Sequence, residues 1–332
     1  MFPRNIKNRI ALIKSYLTRQ ERLNAFPFEI AIGITNRCNL DCSFCPHRIS
    51  PRSQGNISLD LLDSLITQVS PYADVVDLSF DGEPFLHPEW SECVKICHRH
   101  GVRAILQSNG LLVDEAVTHE ILEAGVDSIT FSVDAATEET YRRLKLGGNF
   151  KLVLKNVEYF LQQAAQTSRR PRITVQFVRG PENRDEADDF LSYWRGKGAD
   201  SIRIKPMLNF GGSVGSIPRS VPGKPCILLW TSLSIHWDGI VTLCCMDIEG
   251  RTNMGDASKT PLREIADSDL FRAVRRLHIN GTGAKHPVCR NCDVPAVAWP
   301  FVLGSAFVDD MTRRQVIRLV QNMGFLQARE KT

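Results

Sequence analysis

No run of basic residues interleaved with aromatics occurs in this chain, and its net charge of +4 arises from 41 Lys and Arg against 37 Asp and Glu. A groove that tracks a nucleic-acid backbone needs a far stronger basic stripe, so nucleic acid is excluded and a small molecule or a peptide is the expected substrate. Long apolar runs are missing too. The nearest, "VPAVAWPFVLGSAFV" from Val294 to Val308, falls short of the roughly 20 residues that span a bilayer, and it holds two prolines. The opening "MFPRNIKNRIALIKSYLTRQ" lacks both an unbroken apolar region and a small-residue cleavage site, so it does not read as a secretory signal. No internal repeat recurs at a fixed period, and the eight histidines show no pairing pattern. Ten cysteines in such a chain point to metal or redox chemistry in a reducing cytoplasm rather than to disulfides.

With 43% apolar and 23% charged residues, the 332-residue chain has the profile of a globular protein with ample material for a core. Six β-rich runs alternate with helical stretches: "FEIAIGIT" (28 to 35), "DVVDLSF" (74 to 80), "VRAILQS" (102 to 108), "DSITFSV" (127 to 133), "RITVQFV" (172 to 178) and "DSIRIKP" (200 to 206). Between them, "LDLLDSLITQV" and "DEAVTHEILEAG" carry helical apolar spacing. Strand and helix in alternation predict a parallel α/β sheet or barrel, whose chemistry sits at the carboxyl ends of the strands.

After Pro206 the rhythm breaks into the Gly-, Ser- and Pro-rich stretch 207–225, which reads as a linker. A second module follows at 226–295, with a hairpin expected in "LSIHWDGIVTLCC" turning at Asp238-Gly239. The ends, 1–27 and 296–332, have amphipathic helical spacing with basic residues on the polar side. They are expected to pack on the core or a partner, with peripheral contact to an anionic membrane as the alternative.

The stretch "ITNRCNLDCSFCPH", Ile34 to His47, places Cys38, Cys42 and Cys45 in a C-x3-C-x2-C pattern directly after the first strand. A structural zinc site wants four ligands, whereas a four-iron cluster held by three thiolates leaves one iron open. With Phe44 before its third cysteine, the triplet resembles that of the radical S-adenosylmethionine (SAM) superfamily. The resemblance implies an α/β fold, a partial (β/α)6 parallel barrel, and SAM bound through its amino and carboxylate groups to the open iron.

Further elements at successive strand ends are similar to those of the same superfamily. "DGEP", Asp81 to Pro84, resembles its Gly-Gly-Glu element, with Asp81 where the first glycine would stand and Gly82 and Glu83 as candidates to hold SAM. "QSNG" ends the third strand and offers Asn109. Ser132 and Asp134 resemble the Ser-x-Asp element that contacts the SAM carboxylate and ribose. Arg143, Lys145 and Gln176 are candidate partners for that carboxylate, since a guanidinium or ammonium group suits it.

The later cysteines are Cys226, Cys244, Cys245, Cys289 and Cys292. Four cysteines including a C-x2-C half also suit zinc. One cysteine before a hairpin, one after its Asp-Gly turn and a closing C-x2-C resemble the SPASM and twitch domains of some radical SAM enzymes. That resemblance implies a second 4Fe–4S cluster on Cys226, Cys244, Cys289 and Cys292, the one-cluster twitch form. Neighbours on a strand face opposite ways, which leaves Cys245 for the core or the substrate. Cys93 and Cys97, four apart, are expected to be buried core residues.

The spacing is similar to that of twitch-domain aminocyclitol dehydrogenases. The implied reaction is reductive cleavage of SAM to a 5′-deoxyadenosyl radical and oxidation of a sugar, cyclitol or polyol, with the second cluster as electron acceptor and a flavodoxin or ferredoxin as external donor. Lys205 and Asp247 are the candidate bases. A peptide- or protein-modifying maturase is the runner-up, and a non-enzymatic iron–sulfur or zinc module is the third reading.

Overall fold

The computed structural model describes residues 4–214 and 225–294. Each of the six β-rich runs contains one strand: β1 (Glu29–Ile32), β2 (Val75–Asp77), β3 (Arg103–Ser108), β4 (Ser128–Ser132), β5 (Arg172–Arg179) and β6 (Ser201–Pro206). All neighbours among them pair in parallel, in the sheet order β6-β5-β4-β3-β2-β1. The intervening helices are α2 (Leu59–Val69), α3 (Trp90–Arg99), α4 (Glu115–Ala124), α5 (Glu138–Leu144), α6 (Phe150–Ala165) and α7 (Ala187–Trp194), after an opening α1 (Ile6–Leu17). Side-chain caps start them: Ser58 accepts from Leu61 N–H, Asp114 from Val117 N–H and Asn149 from Leu152 N–H.

The strands alternate, and the alternation sorts the two faces of the sheet. Val76, Leu106, Ile129, Phe131, Val175 and Phe177 belong to one apolar core with Leu62, Leu65, Val157 and Phe160 of the helices. Ring pairs fix it, Phe131 to Phe160 at 5.1 Å and Phe177 to Phe190 at 4.9 Å. The residues at alternate positions point to the other face, away from the helices, and most are polar, with Ala31, Val75, Ile105 and Val178 as exceptions. Parallel strands covered on both sides are usually apolar throughout, and barrel interiors are usually filled by branched side chains. This inner face departs from both.

The second module extends the same sheet. After α8 (Leu228–Thr231), β7 (Ser232–Ile235) lies parallel to β1, with Glu29 opposite Ser232 and Ile32 opposite Ile235. The expected hairpin turns back into β8 (Ile240–Thr242), and β9 (Gly255–Asp256) adds a further antiparallel strand. Helices α9 (Leu262–Ala266), α10 (Asp269–Ile279) and α11 (Pro287–Arg290) complete it. The expected linker begins as packed chain: the Asn209 amide donates to Asp293 Oδ2 at 2.9 Å, and its side chain to Asn291 O at 2.6 Å. Residues 215–224 and the expected carboxyl-terminal tail 296–332 lie outside the described residues.

Helix α1 packs on the core through Leu12, while Ile13 packs apart from it against Ile227. One of its basic residues turns inward: Arg9, fully buried, pairs with Asp74 at 2.6 Å and lies over the Phe28 ring. Among the described residues, no helix is long and apolar enough to cross a membrane. Cys93 and Cys97 are fully buried on α3, as expected.

Candidate active site

The cysteine loop leaves the carboxyl end of β1 with little regular structure of its own, so its shape comes from what grips it. The Asn36 side chain donates to Ser53 O and accepts from Gly55 N–H. The amides of Asp41 and Ser43 donate to Leu146 O and Leu144 O. Burial pushes the Cys38 thiol up to about 12 and the Cys45 thiol up to about 11, and a negative charge on Cys42 would raise both further. Burial also raises Cys42, against the pull of Lys145. The three sulfurs are thus within electrostatic reach of one another. Among the described residues, no three His, Cys, Asp or Glu side chains converge closely enough to hold a single ion.

The DGEP element packs directly on this loop. A Cβ on Gly82 would stand 2.3 Å from Thr35 O and 2.8 Å from Arg37 O, so only glycine allows that approach. The amide of Glu83 donates to Arg37 O at 2.8 Å. Its carboxylate accepts from Ser108 Oγ and Asn109 N–H, both at 2.9 Å, and Asn109 in turn donates to Asn39 Oδ1 at 2.8 Å. Gly82, Glu83 and Asn109 are therefore all brought to the cysteine loop.

Burial pushes the Glu83 carboxyl up from 4.5 to about 7, against those hydrogen bonds. The folded chain then keeps a proton that the unfolded chain loses, so stability falls as pH rises from about 4.5 to about 7 and levels off above, by about 3 kcal/mol. Glu83→Gln cannot ionise and should lack this loss. Thermal unfolding of the cluster-free protein across that range should show the variant gaining on wild type as pH rises; parallel curves would contradict the buried carboxyl.

Asp81 does not stand empty in the glycine's place. Its Oδ2 meets His236 Nδ1 at 2.5 Å, with both side chains buried, and a Cβ on Gly33 would collide with its Oδ1 at 1.8 Å. The pair ties the end of β2 to the β7–β8 hairpin across β1. A second tie lies outside it, where Arg52 grips both oxygens of Asp238 at 2.6 and 2.7 Å.

At the end of β4, Asp134 adopts a left-handed backbone, φ 66°, which Asp tolerates better than most residues. Its carboxylate accepts from Val178 N–H at 2.7 Å and pairs with Lys145 at 2.6 Å, both side chains buried. Burial alone would lower the Lys145 pKa; Asp134, then the Cys42 sulfur, outweigh it and keep the ammonium charged. Lys145 Nζ also lies 5.5 Å from the Phe44 ring centroid, so the charge sits beside the cysteine loop. Ser132 Oγ accepts from Gln176 Nε2 at 2.9 Å, and Gln176 Oε1 accepts from Arg203. Arg143 is a correction: its side chain is 56% exposed and faces Glu139 and Thr140, because α5 turns Tyr141 and Leu144 inward instead.

These contacts belong to a larger feature that the motif reading missed. In register on the inner face stand Asp77, Ile105, Ser128 and Arg172, then Gln107, Thr130, Thr174 and Ser201, then Ser132, Gln176 and Arg203, then Lys205 opposite Val178. Gln107 donates to Asp77 Oδ2 at 3.0 Å. On this face Ala31, Gln107, Ser132 and Arg203 are half-buried while Asp77, Ser128, Thr130, Thr174 and Gln176 are buried, as are Ile32, Leu106, Phe131 and Val175 on the other face. The signal was in the sequence, as polar residues at alternate positions of β4 and β6 and at most of those of β5, interrupted by Ala31, Val75, Ile105 and Val178.

The second group gathers all five later cysteines. Charge on Cys226 would raise the pKa of Cys244, Cys245 and Cys289, and charge on Cys292 that of Cys226, Cys245 and Cys289, in each case after burial. Cys245 is thus in the same group as the four expected ligands. The alternation expected of Cys244 and Cys245 does not apply, because β8 ends at Thr242 and both lie in the turn beyond it.

Asp247 ends that turn and is a correction as a catalytic base. Its carboxylate accepts from Thr242 Oγ1 (2.5 Å), Thr252 Oγ1 (2.6 Å), and the amides of Arg251 and Thr252 (3.0 Å each). A fully buried carboxylate so engaged pins residues 242–252 and has no lone pair left for a substrate.

Residues 32–193 match the model of the radical SAM superfamily, and residues 226–293 match SPASM, an iron–sulfur cluster-binding domain. The tungsten-containing aldehyde ferredoxin oxidoreductase cofactor-modifying protein of Pyrococcus furiosus is 25% identical over 183 residues, 53% of this chain and 51% of that protein. The chain spans about half the length of the curated relatives it matches. Among solved structures, BtrN in complex with AdoMet and 2-DOIA has a TM-score of 0.58 at 19% identity, covering 82% of this chain and 95% of that one. Streptococcus suis SuiB bound to precursor peptide SuiA has a TM-score of 0.62 at 12% identity, covering 80% and 69%. Both likenesses concern the fold.

Proposed function

The chain belongs to the radical SAM superfamily and carries an iron–sulfur-binding SPASM domain, with SAM and 4Fe–4S clusters as cofactors; from that premise we propose that it oxidises a sugar, cyclitol or related polyol by two electrons. The observation that carries this reading is the polar inner face of the sheet. A polyol leaving water needs a partner for each hydroxyl, at a cost of about 1–3 kcal/mol for every one left unmatched. Asp77, Gln107, Thr130, Ser132, Thr174 and Gln176 offer such partners on one face. Several of them already bond one another, Gln107 to Asp77 and Gln176 to Ser132, so they form an ordered polar wall against which an apolar substrate would gain little.

The donor sets fit the cofactors. Three thiols with no fourth, on a loop gripped by its backbone, suit a cluster with one open iron, so Cys38, Cys42 and Cys45 are assigned to the first cluster. A cluster with SAM held there would supply the reductive radical chemistry that removes a hydrogen atom from a substrate carbon. The bare backbone at Gly82, with Glu83 and Asn109 behind it, is assigned to the SAM amino group. Ser132, oriented by Gln176, is assigned to its carboxylate and ribose. Asp134 acts through Lys145, whose charge it holds beside Cys42.

Cys226, Cys244, Cys289 and Cys292 are assigned to the second cluster, the acceptor for the electron that a two-electron oxidation releases. With Asp247 committed to its turn, the substrate proton is assigned to Lys205, at the carboxyl end of β6 on the inner face. To test the reading, anaerobically reconstituted protein with SAM and dithionite is offered aminocyclitols, sugars, sugar alcohols and short peptides. A polyol should raise 5′-deoxyadenosine formation and return as a ketone lighter by two hydrogens. Turnover confined to a peptide would replace this reading with the maturase one.

A further inference from the structure

The buried contact between Asp81 and His236 lies where the two modules meet, and it serves neither cluster as a ligand. Asp81 stands immediately before Gly82, and His236 opens the turn of the β7–β8 hairpin that leads on to Cys244. The His236 ring packs on Phe80, with centroids 5.0 Å apart. Among the described residues, neither His236 Nε2 nor Asp81 Oδ1 has a hydrogen-bond partner, so the contact at 2.5 Å is what satisfies both side chains. A buried carboxylate deprived of its imidazole is an uncompensated charge, and losing either partner must shift the chain that carries the other. What Asp81 carries is the turn into Gly82 and Glu83, seated on the cysteine loop by the Glu83 amide on Arg37 O at 2.8 Å. The hairpin turn also grips the far flank of that loop. Trp237 Nε1 donates to Ser53 O at 3.3 Å, and its ring fills the space that a Cβ on Gly55 would need. Ser53 and Gly55 are the residues that hold the Asn36 side chain.

We propose that Asp81 and His236 are positioning residues through which the iron–sulfur-binding module fixes the seat of the SAM amino group. The inference rests on the assignment of Gly82 and Glu83 to that group. A glycine at position 81 would leave the turn independent of the hairpin, whereas the aspartate ties it to His236, and Gly33 leaves the room for that tie. The amino group is held by directional hydrogen bonds, which weaken steeply as donor and acceptor move out of line. A turn released from His236 therefore holds SAM less tightly. Neither residue binds iron or carries a proton in the reaction, so the loss falls on KM for SAM and leaves turnover at saturating SAM nearly unchanged.

The test uses anaerobically reconstituted protein and measures KM for SAM and kcat in dithionite-driven 5′-deoxyadenosine formation. It also titrates SAM against the electron paramagnetic resonance spectrum of the reduced first cluster. Wild type is compared with His236→Leu, His236→Asn, Asp81→Ala, Asp81→Ala/His236→Leu and Arg52→Gln, the last of which cuts the outer tie of the same hairpin to Asp238. His236→Leu should raise KM about tenfold with kcat within about threefold, and the spectrum should need correspondingly more SAM to change. His236→Asn, whose amide nitrogen takes the place of Nδ1, should stay within about threefold of wild type. The double variant should be no worse than the worse single one, because the two residues act through one contact. Arg52→Gln should match wild type. Should His236→Leu fail to fold, the double variant, which leaves no buried charge unpaired, carries the test with the same expected rise in KM. An unchanged KM, losses that add in the double variant, or an equal loss in Arg52→Gln would overturn the proposal. A wild-type first-cluster spectrum that does not respond to SAM would instead overturn the assignment beneath it.

Discussion

Replacing Cys38, Cys42 and Cys45 together by Ala is expected to take dithionite-driven 5′-deoxyadenosine formation below detection. His47 Nε2, the nearest imidazole in sequence, is 2.5 Å from Asn36 O and so already engaged, and Asp41 is exposed. The loop should keep its course without the thiols, because the Asn36 side chain and the amides of Asp41 and Ser43 hold it. The second cluster should persist, so iron should fall from about eight to about four per chain. Undiminished SAM cleavage in this variant would refute the assignment of the first cluster.

Replacing Cys226 and Cys292 together by Ala should separate the two halves of the reaction, leaving SAM cleavage near the wild-type rate and reducing product at least a hundredfold. The substitution is double because Cys245 lies close to Cys226 and Cys292, and a fifth thiol in the group would mask the loss of a single one. Local collapse should be limited: the Cys226 amide is held by His278 Nδ1 at 3.3 Å, and the far side of the site by Asn209 on Asn291 and Asp293. What disappears is the electron acceptor. A carbon radical beside a hydroxyl, with nowhere to send its electron, does not become a ketone.

The parallel core was legible because strand and helix differ in apolar period, and the strand-end motifs because a parallel sheet places every strand end on one side. Cys38, Glu83, Asn109 and Lys145 meet there although they come from four separate connections. Three things were not legible. Arg143 and Lys145 are two apart in sequence, yet the face that α5 buries sends one to solvent and the other to Asp134. Asp247 looked like a free carboxylate beside the cysteines, and its engagement by Thr242 and Thr252 depends on where β8 stops. The meeting of Asp81 with His236, 155 residues on, required knowing that β7 joins the sheet beside β1. The polar inner face lay between these cases: β4, β5 and β6 showed alternation, but only the register sets Gln107, Thr130, Thr174 and Ser201, and then Ser132, Gln176 and Arg203, side by side.

The central claim is that the second cysteine group receives the substrate's electron across a polar-lined barrel. The most direct measurement follows 5′-deoxyadenosine and ketone together, for wild type and for Cys226→Ala/Cys292→Ala, with the polyol that wild type turns over. The account predicts that the two products rise together in wild type, and that the variant forms 5′-deoxyadenosine with almost no ketone. Ketone at the wild-type rate in the variant would contradict it.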